Sequence, residues 1–330
     1  MKKLIFWALA LLLALAAASY ATYRFTPWPK ALLIRHAFDK DAVRANAALS
    51  DLVPPGVSAE TDVPYLPGDP DAKLDIYRPE SASSPLPVLM WIHGGAWISG
   101  DKSYLANYSK IIAAEGFAVV QINYSIAPGA RYPTPVVQAT AALGWIQSAG
   151  ASHGLDASRI VLAGDSAGSQ IAAQTALVQE VPAYAARVGI APALQPGTIR
   201  GLVLHCGGFD LASANLEGAF GDFLRTVFWS YFGTSDFMND PRAKDFSIPG
   251  NLTATFPSLF ISAGNADPLE PQSHLVAESA ERLGIPRTTL FFPKDHDPPL
   301  GHEYQFDLTT EAGKQALAAS IAFLKSVLAN

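Results

Sequence analysis

The chain has 330 residues, 49% of them hydrophobic and 16% charged, with a net charge of −6. That length and apolar content suit a single large α/β domain with insertions, and the scattered basic residues exclude nucleic acid as an expected partner. The single cysteine, Cys206, excludes a disulfide framework and a cysteine-rich metal site, and its place after an apolar run suits a buried, inert thiol.

Met1-Lys2-Lys3 is a short basic head before an apolar run from Leu4 to Ala18, and small residues continue to Ala21. This is the layout of an export signal. The run is also just short of the about 20 residues that cross a bilayer, with lysines that would hold its start in the cytoplasm. Residues 1–22 therefore read as a cleaved signal peptide or as a membrane anchor in residues 4–22. Either way the body is exported: periplasmic, secreted or held at the inner membrane. Tyr20 to Trp28 would suit an aromatic belt at the membrane surface.

Residues 23–330 read as one domain. Residues 29–53 carry apolar positions at helical spacing (Leu32, Leu33, Ala37, Val43, Ala47, Leu52) up to Pro54-Pro55-Gly56. They predict one or two helices lying over the site or along the membrane. Two antiparallel strands follow, near Val57–Tyr65 and Lys73–Tyr77, around a Pro67-Gly68-Asp69-Pro70 turn.

From Leu86 the chain repeats apolar strand, turn and helix. The predicted strands are Leu86–His93, Ala118–Tyr124, Arg159–Ala163, Arg200–His205, Pro257–Ser262 and Thr288–Phe292. The predicted helices are Tyr104–Glu115, Pro135–Ser148, Ser166–Gln179, Pro271–Leu283 and Glu311–Leu328. Near-continuous apolar strands predict a mostly parallel central sheet with helices on both faces. Residues 207–255 exceed a plain crossover and are rich in phenylalanine, which predicts an inserted lid or pocket wall.

The chemistry centres on Gly164-Asp165-Ser166-Ala167-Gly168. A strand leads into it and a helix leaves it, the context in which Gly-x-Ser-x-Gly lifts a serine hydroxyl clear of a sheet. A helix N-terminus there adds partial positive charge beside Ser166. A second glycine turn, His93-Gly94-Gly95-Ala96-Trp97, closes the first interior strand. Its backbone amides at Gly95 and Ala96, with Gly94 shaping the turn, predict an oxyanion hole together with the amide of Ala167. The loss of one such donor costs about 3 kcal/mol of transition-state stabilisation.

These motifs, HGGAW and then GDSAG, resemble the α/β-hydrolase fold, and within it the hormone-sensitive-lipase-like and Aes-type bacterial carboxylesterases, from about Asp62 onward. Asn123-Tyr124-Ser125-Ile126-Ala127-Pro128 is similar to that family's Tyr-Arg-Leu-Ala-Pro segment, with Ser125 in place of the arginine. Ala96 stands where the family has a third glycine. The family order of nucleophile, acid and base implies an acid after a late strand. Asp267, in an Asp-Pro-Leu ending similar to the family's acid motif, fits that place, and Asp210 is the weaker alternative. Of seven histidines only His296 and His302 follow Asp267. His302 resembles the family's His-Gly-Phe element, without its glycine, whereas His296 sits among charges and prolines as an exposed loop residue. His93 reads as a brace for the oxyanion turn, and His36, His153, His205 and His274 as structural.

The resemblance implies that Ser166 attacks the carbonyl of a small apolar ester, with His302 as base and Asp267 as orienting acid. It implies no metal and no organic cofactor. An amidase or arylformamidase is the second enzyme expectation, since His-Gly-Gly-x-Trp also occurs in arylformamidases. A non-catalytic binding protein of the same fold is the third, and it predicts a degraded triad.

Overall fold

The computed structural model describes residues 2–329. Its backbone is an eight-stranded sheet in the order β1-β2-β4-β3-β5-β6-β7-β8. The strands are β1 (Val57–Pro64), β2 (Lys73–Pro79), β3 (Leu86–Ile92), β4 (Ala118–Ile122), β5 (Leu155–Asp165), β6 (Ile199–His205), β7 (Ser258–Ala263) and β8 (Arg287–Phe291). β1, β2 and β4 pair antiparallel, and every pair from β4 across to β8 is parallel.

The period-two alternation of strand side chains divides the core in two. Val88, Met90 and Ile92 of β3, Val120 of β4, Leu162 of β5, Leu204 of β6 and Ile261 of β7 enter one apolar cluster. Their neighbours Leu89, Trp91, Val119, Val161, Val203 and Phe260 enter the other. Both faces are therefore apolar, which is why these strands read as continuous hydrophobic runs. The first face is covered by α4 (Thr134–Ala149), α5 (Ala167–Glu180) and α9 (Glu270–Arg282). The second is covered by α3 (Ala106–Ala113) and α10 (Glu311–Leu328). β4 and β5 flank β3 on opposite sides, so the chain reverses its direction of winding between β3 and β5. A crevice opens at such a switch point, outside the carboxyl ends of those strands.

The predicted strands and helices all occur, and the differences are local. β5 starts at Leu155 rather than Arg159, because a register shift lets Asp156 pair with Pro87 before Ile160 meets Val88. The helix expected from Tyr104 splits into a 3₁₀ turn, Lys102–Leu105, and α3. Asp101 caps that turn by accepting from the Ser103 amide at 2.9 Å. Pro182–Val188 forms a short helix, α6, that the sequence reading left out. The 207–255 insertion holds α7 (Gly218–Phe232) and a four-residue α8 (Ala243–Phe246).

At the N-terminus, α1 (Lys2–Phe25) has 24 residues and none of them is buried. By length and composition it can cross a membrane, with a mean hydropathy of 2.2 over its best window. α1 runs three residues past the 22 that bounded the expected segment, whose Met1 lies outside the described residues. After it, α2 (Trp28–Ala48) lies over the crevice. Arg35 pins it by donating to the carbonyls of Ile98 and Ala127 at 2.6 and 2.8 Å. Asp39 accepts from the Ser99 hydroxyl at 2.7 Å, and Asn46 accepts from the Asn107 amide at 2.9 Å.

The tightest backbone contact in this frame is at Gly168, where an added Cβ would sit 1.9 Å from the Ile92 carbonyl oxygen. Gly168→Ala is expected to cost about 3 kcal/mol or more, the upper range of overpacking, because only main chain can move there. Gly116→Ala is the control: it has φ +99 and nothing within 4 Å. Its cost is backbone strain alone, about 1–2 kcal/mol. Thermal unfolding of the two variants checks the difference, and equal losses would contradict it.

Candidate active site

β5 ends at Asp165 and α5 begins at Ala167, leaving Ser166 as the hinge at φ 50, ψ −118. A non-glycine residue in such a region stores about 1–3 kcal/mol of strain and stays only where its surroundings hold it. Here the Ser166 amide donates to the His205 carbonyl at 2.9 Å. The Ser169 hydroxyl spans the carbonyls of Gly164 and His205 at 2.6 and 2.8 Å.

The loop after β8 brings His302 onto this turn. Its Nε2 lies 2.9 Å from Ser166 Oγ, and its Nδ1 lies 2.9 Å from Asp267 Oδ2. A carboxylate only accepts, so Nδ1 carries the proton and Nε2 is left to accept from the serine hydroxyl. Asp267 has no exposed side-chain surface, and its other oxygen accepts from the Leu269 amide at 2.8 Å. Burial works against an imidazolium here, but the hydrogen bond to the Asp267 carboxylate and the charge of Glu303 hold His302 above the ordinary histidine range. The alternatives are elsewhere. Asp210 accepts from the Ser213 amide in a different cleft. His296 packs its ring 4.8 Å from Phe292 and is half-buried, more covered than an exposed loop residue.

The turn after β3 faces the serine. The buried His93 stacks on Tyr124 at 4.3 Å and donates through Nδ1 to the Gly94 carbonyl at 2.8 Å. The Tyr124 hydroxyl donates to the His93 carbonyl at 2.8 Å. The Gly94 amide donates to Asp165 Oδ2 at 2.8 Å, which leaves Gly94 to shape the turn. The amides of Gly95, Ala96 and Ala167 have no acceptor among the described residues. Ala96 adopts φ 53, a left-handed conformation in which a glycine would carry no strain.

Two carboxyl groups escaped the sequence reading. Asp165 is buried and accepts from Trp91 Nε1 and the Gly94 amide, both at 2.8 Å. Burial, then the charge of Glu303, push its carboxyl well above the usual range. Glu303 has φ 61 and directs Oε1 to 3.9 Å from His302 Nε2. The only sequence signal for it was the missing glycine after His302.

A cavity of about 850 Å³ opens over Ser166. Phe38 and Leu49 wall it from the α2 segment, and Phe220, Phe223, Leu224 and Phe228 wall it from α7. Among the described residues, one group of possible metal donors, Cys206, Asp267 and His302, lies within 4.8 Å. Two of its members are already hydrogen-bonded to each other, and burial keeps the thiol protonated by pushing its pKa up.

The BD-FAE family model matches residues 74–279. The chain belongs to the BD-FAE family. Its curated relatives include esterase LipQ of Mycobacterium tuberculosis, 27% identical over 81% of this chain and 62% of LipQ. The chain thus spans less than two thirds of LipQ's length. Carboxylesterase NlhH of the same organism is 28% identical over 78% of this chain and 79% of its own. Among solved structures, esterase B from Lactobacillus rhamnosis superposes with a TM-score of 0.77 at 21% identity, covering 90% of this chain and 94% of its own. The Pyrobaculum calidifontis esterase gives 0.74 at 22%, covering 92% and 95%. The BD-FAE chain therefore has the α/β-hydrolase fold, in agreement with the hormone-sensitive-lipase-like resemblance of its motifs.

Asp165→Ala would orphan two buried donors, Trp91 Nε1 and the Gly94 amide. Each orphan costs about 1–3 kcal/mol, while Asp165→Asn keeps one acceptor and should lose less. Urea unfolding of the two variants reads the difference, and an Ala variant as stable as wild type would refute this role for Asp165.

Proposed function

We propose that this protein is an exported serine carboxylesterase acting on small apolar acyl esters. The observation that carries the reading is the unbroken relay from Asp267 through His302 to Ser166, at 2.9 Å per step, beside unpaired amides and an apolar cavity. The esterase names of LipQ and NlhH support it.

In this reading His302 takes the proton of Ser166 as Oγ attacks the ester carbonyl, and Asp267 holds the tautomer and the growing imidazolium charge. The Gly95, Ala96 and Ala167 amides receive the oxyanion. His302 then gives its proton to the leaving alcohol, which departs and leaves an acyl group on Ser166. Water, deprotonated by the same histidine, releases the acid. The 207–255 segment serves as a pocket wall through α7. α1 serves as export signal or anchor, and the body lies outside the cytoplasm. The chain's own residues need no metal or organic cofactor for these steps.

The full-length protein assayed on p-nitrophenyl esters of increasing acyl length, beside matched anilides, tests this. Ester turnover should exceed amide turnover, and Ser166→Ala and His302→Ala should each lose about 10⁴-fold or more in kcat. His296→Ala should stay near wild type; the reverse pattern for the two histidines would reject the assignment of the base. The base works only when neutral, so kcat/KM should rise with pH through a midpoint above 6.5, because the folded site raises His302. Asp267→Asn should move that midpoint down. An acid limb at or below 6.5 would contradict the raised value.

A further inference from the structure

We infer that Glu303 holds the water molecule that hydrolyses the acyl-enzyme, an inference that rests on the serine-ester reading above. Glu303 Oε1 and His302 Nε2 are 3.9 Å apart, too far for a direct hydrogen bond. The gap suits one water about 2.8 Å from each atom. Both residues line the same cavity as Ser166, and the Glu303 side chain is 37% exposed to solvent.

In the free enzyme Nε2 is occupied by the serine hydroxyl at 2.9 Å. Acylation removes that hydroxyl proton and frees Nε2 to accept from water at the moment water is needed. One hydrogen of the water then points to Nε2 and the other to Glu303 Oε1, leaving an oxygen lone pair for the acyl carbon. The oxygen attacks, and its first proton passes to Nε2 while the second remains on it, bonded to Glu303. The tetrahedral intermediate collapses with cleavage of the bond to Ser166 Oγ, which takes the proton back from His302. The products are free enzyme and a carboxylic acid.

The carboxylate is fixed for this work from behind. The Glu303 backbone is held at φ 61, and its carboxyl meets that of Asp165. A Cβ added at Gly94 would lie 3.1 Å from Glu303 Oε1 and 2.3 Å from Asp165 Oδ2. The side chain that Gly94 lacks is the space the two carboxyl groups fill. Asp165, itself bound to Trp91 and Gly94, thus ties the loop after His302 to the oxyanion turn.

A role in water positioning predicts a kinetic split that a bracing role alone does not. In full-length Glu303→Ala, the single-turnover decay of a butyryl-enzyme made with p-nitrophenyl butyrate should slow about tenfold or more. kcat/KM reports acylation and should stay within about threefold of wild type, and that retention itself shows an intact fold. A burst of p-nitrophenolate equal to the enzyme and a butyryl mass on the Ser166 peptide should accompany it. Glu303→Gln keeps an acceptor oxygen and should lose less. Unchanged deacylation, or a parallel fall in deacylation and kcat/KM in both variants, would overturn the role of Glu303 while leaving the ester reading in place. A wild type that turns over no ester would overturn both.

Discussion

The rest of the structure depends on how closely α5 passes β3. Gly168 leaves no room for a side chain against the Ile92 carbonyl, and Gly164 leaves none against Gly168. With helix and strand that close, the chain between β5 and α5 has a single residue in which to reverse, and Ser166 takes the strained conformation at φ 50. The same closeness puts Asp165 against the start of the glycine turn after β3, where it fixes Gly94. Ser166 and the glycine turn after β3 are thereby set by one piece of backbone packing, and the His302 loop reaches them from the far end of the chain.

Polar side chains around the two turns are tied to the backbone. His93, Tyr124, Asp165 and Ser169 are buried around the two turns, and each has a hydrogen bond to the backbone that shapes them. The backbone's unspent donors there are the amides of Gly95, Ala96 and Ala167, on the two turns that meet at the cavity. α2 and α7 roof that place with aromatic rings, Phe38 and Phe223 meeting at 5.8 Å. α2 follows directly from the apolar α1, and it exposes Leu33 at 70% and Leu32 at 47%.

Much of this was legible in the sequence because the signals are local. The continuous apolar runs gave away the two-faced parallel sheet, and α10 runs from Glu311 to Leu328 as predicted. Gly-x-Ser-x-Gly and the His-Gly-Gly turn declared themselves because close backbone approach admits only glycine. Pairing Ser166 with His302 and Asp267 relied on family order, since contacts across 136 and 35 residues leave no trace in local pattern. What stayed hidden was long-range and polar. Asp165 looked like the variable position of a motif, and only the fold shows it accepting from Trp91, 74 residues away. Glu303 looked like a departure from a His-Gly-Phe element, and only its left-handed backbone and its approach to Asp165 show what stands in place of the glycine. Gly94 reads as a residue that shapes the turn, and its sequence context cannot reveal which carboxylate claims its amide.

The central claim is that Ser166 is made nucleophilic by His302. It is tested most directly by labelling the intact protein with a fluorophosphonate ester and mapping the modified peptide by mass spectrometry. One phosphonyl group per chain on Ser166, formed at least about a hundredfold more slowly in His302→Ala, is the predicted result. No labelling of folded wild type, or labelling of Ser166 at the same rate without His302, would contradict the account.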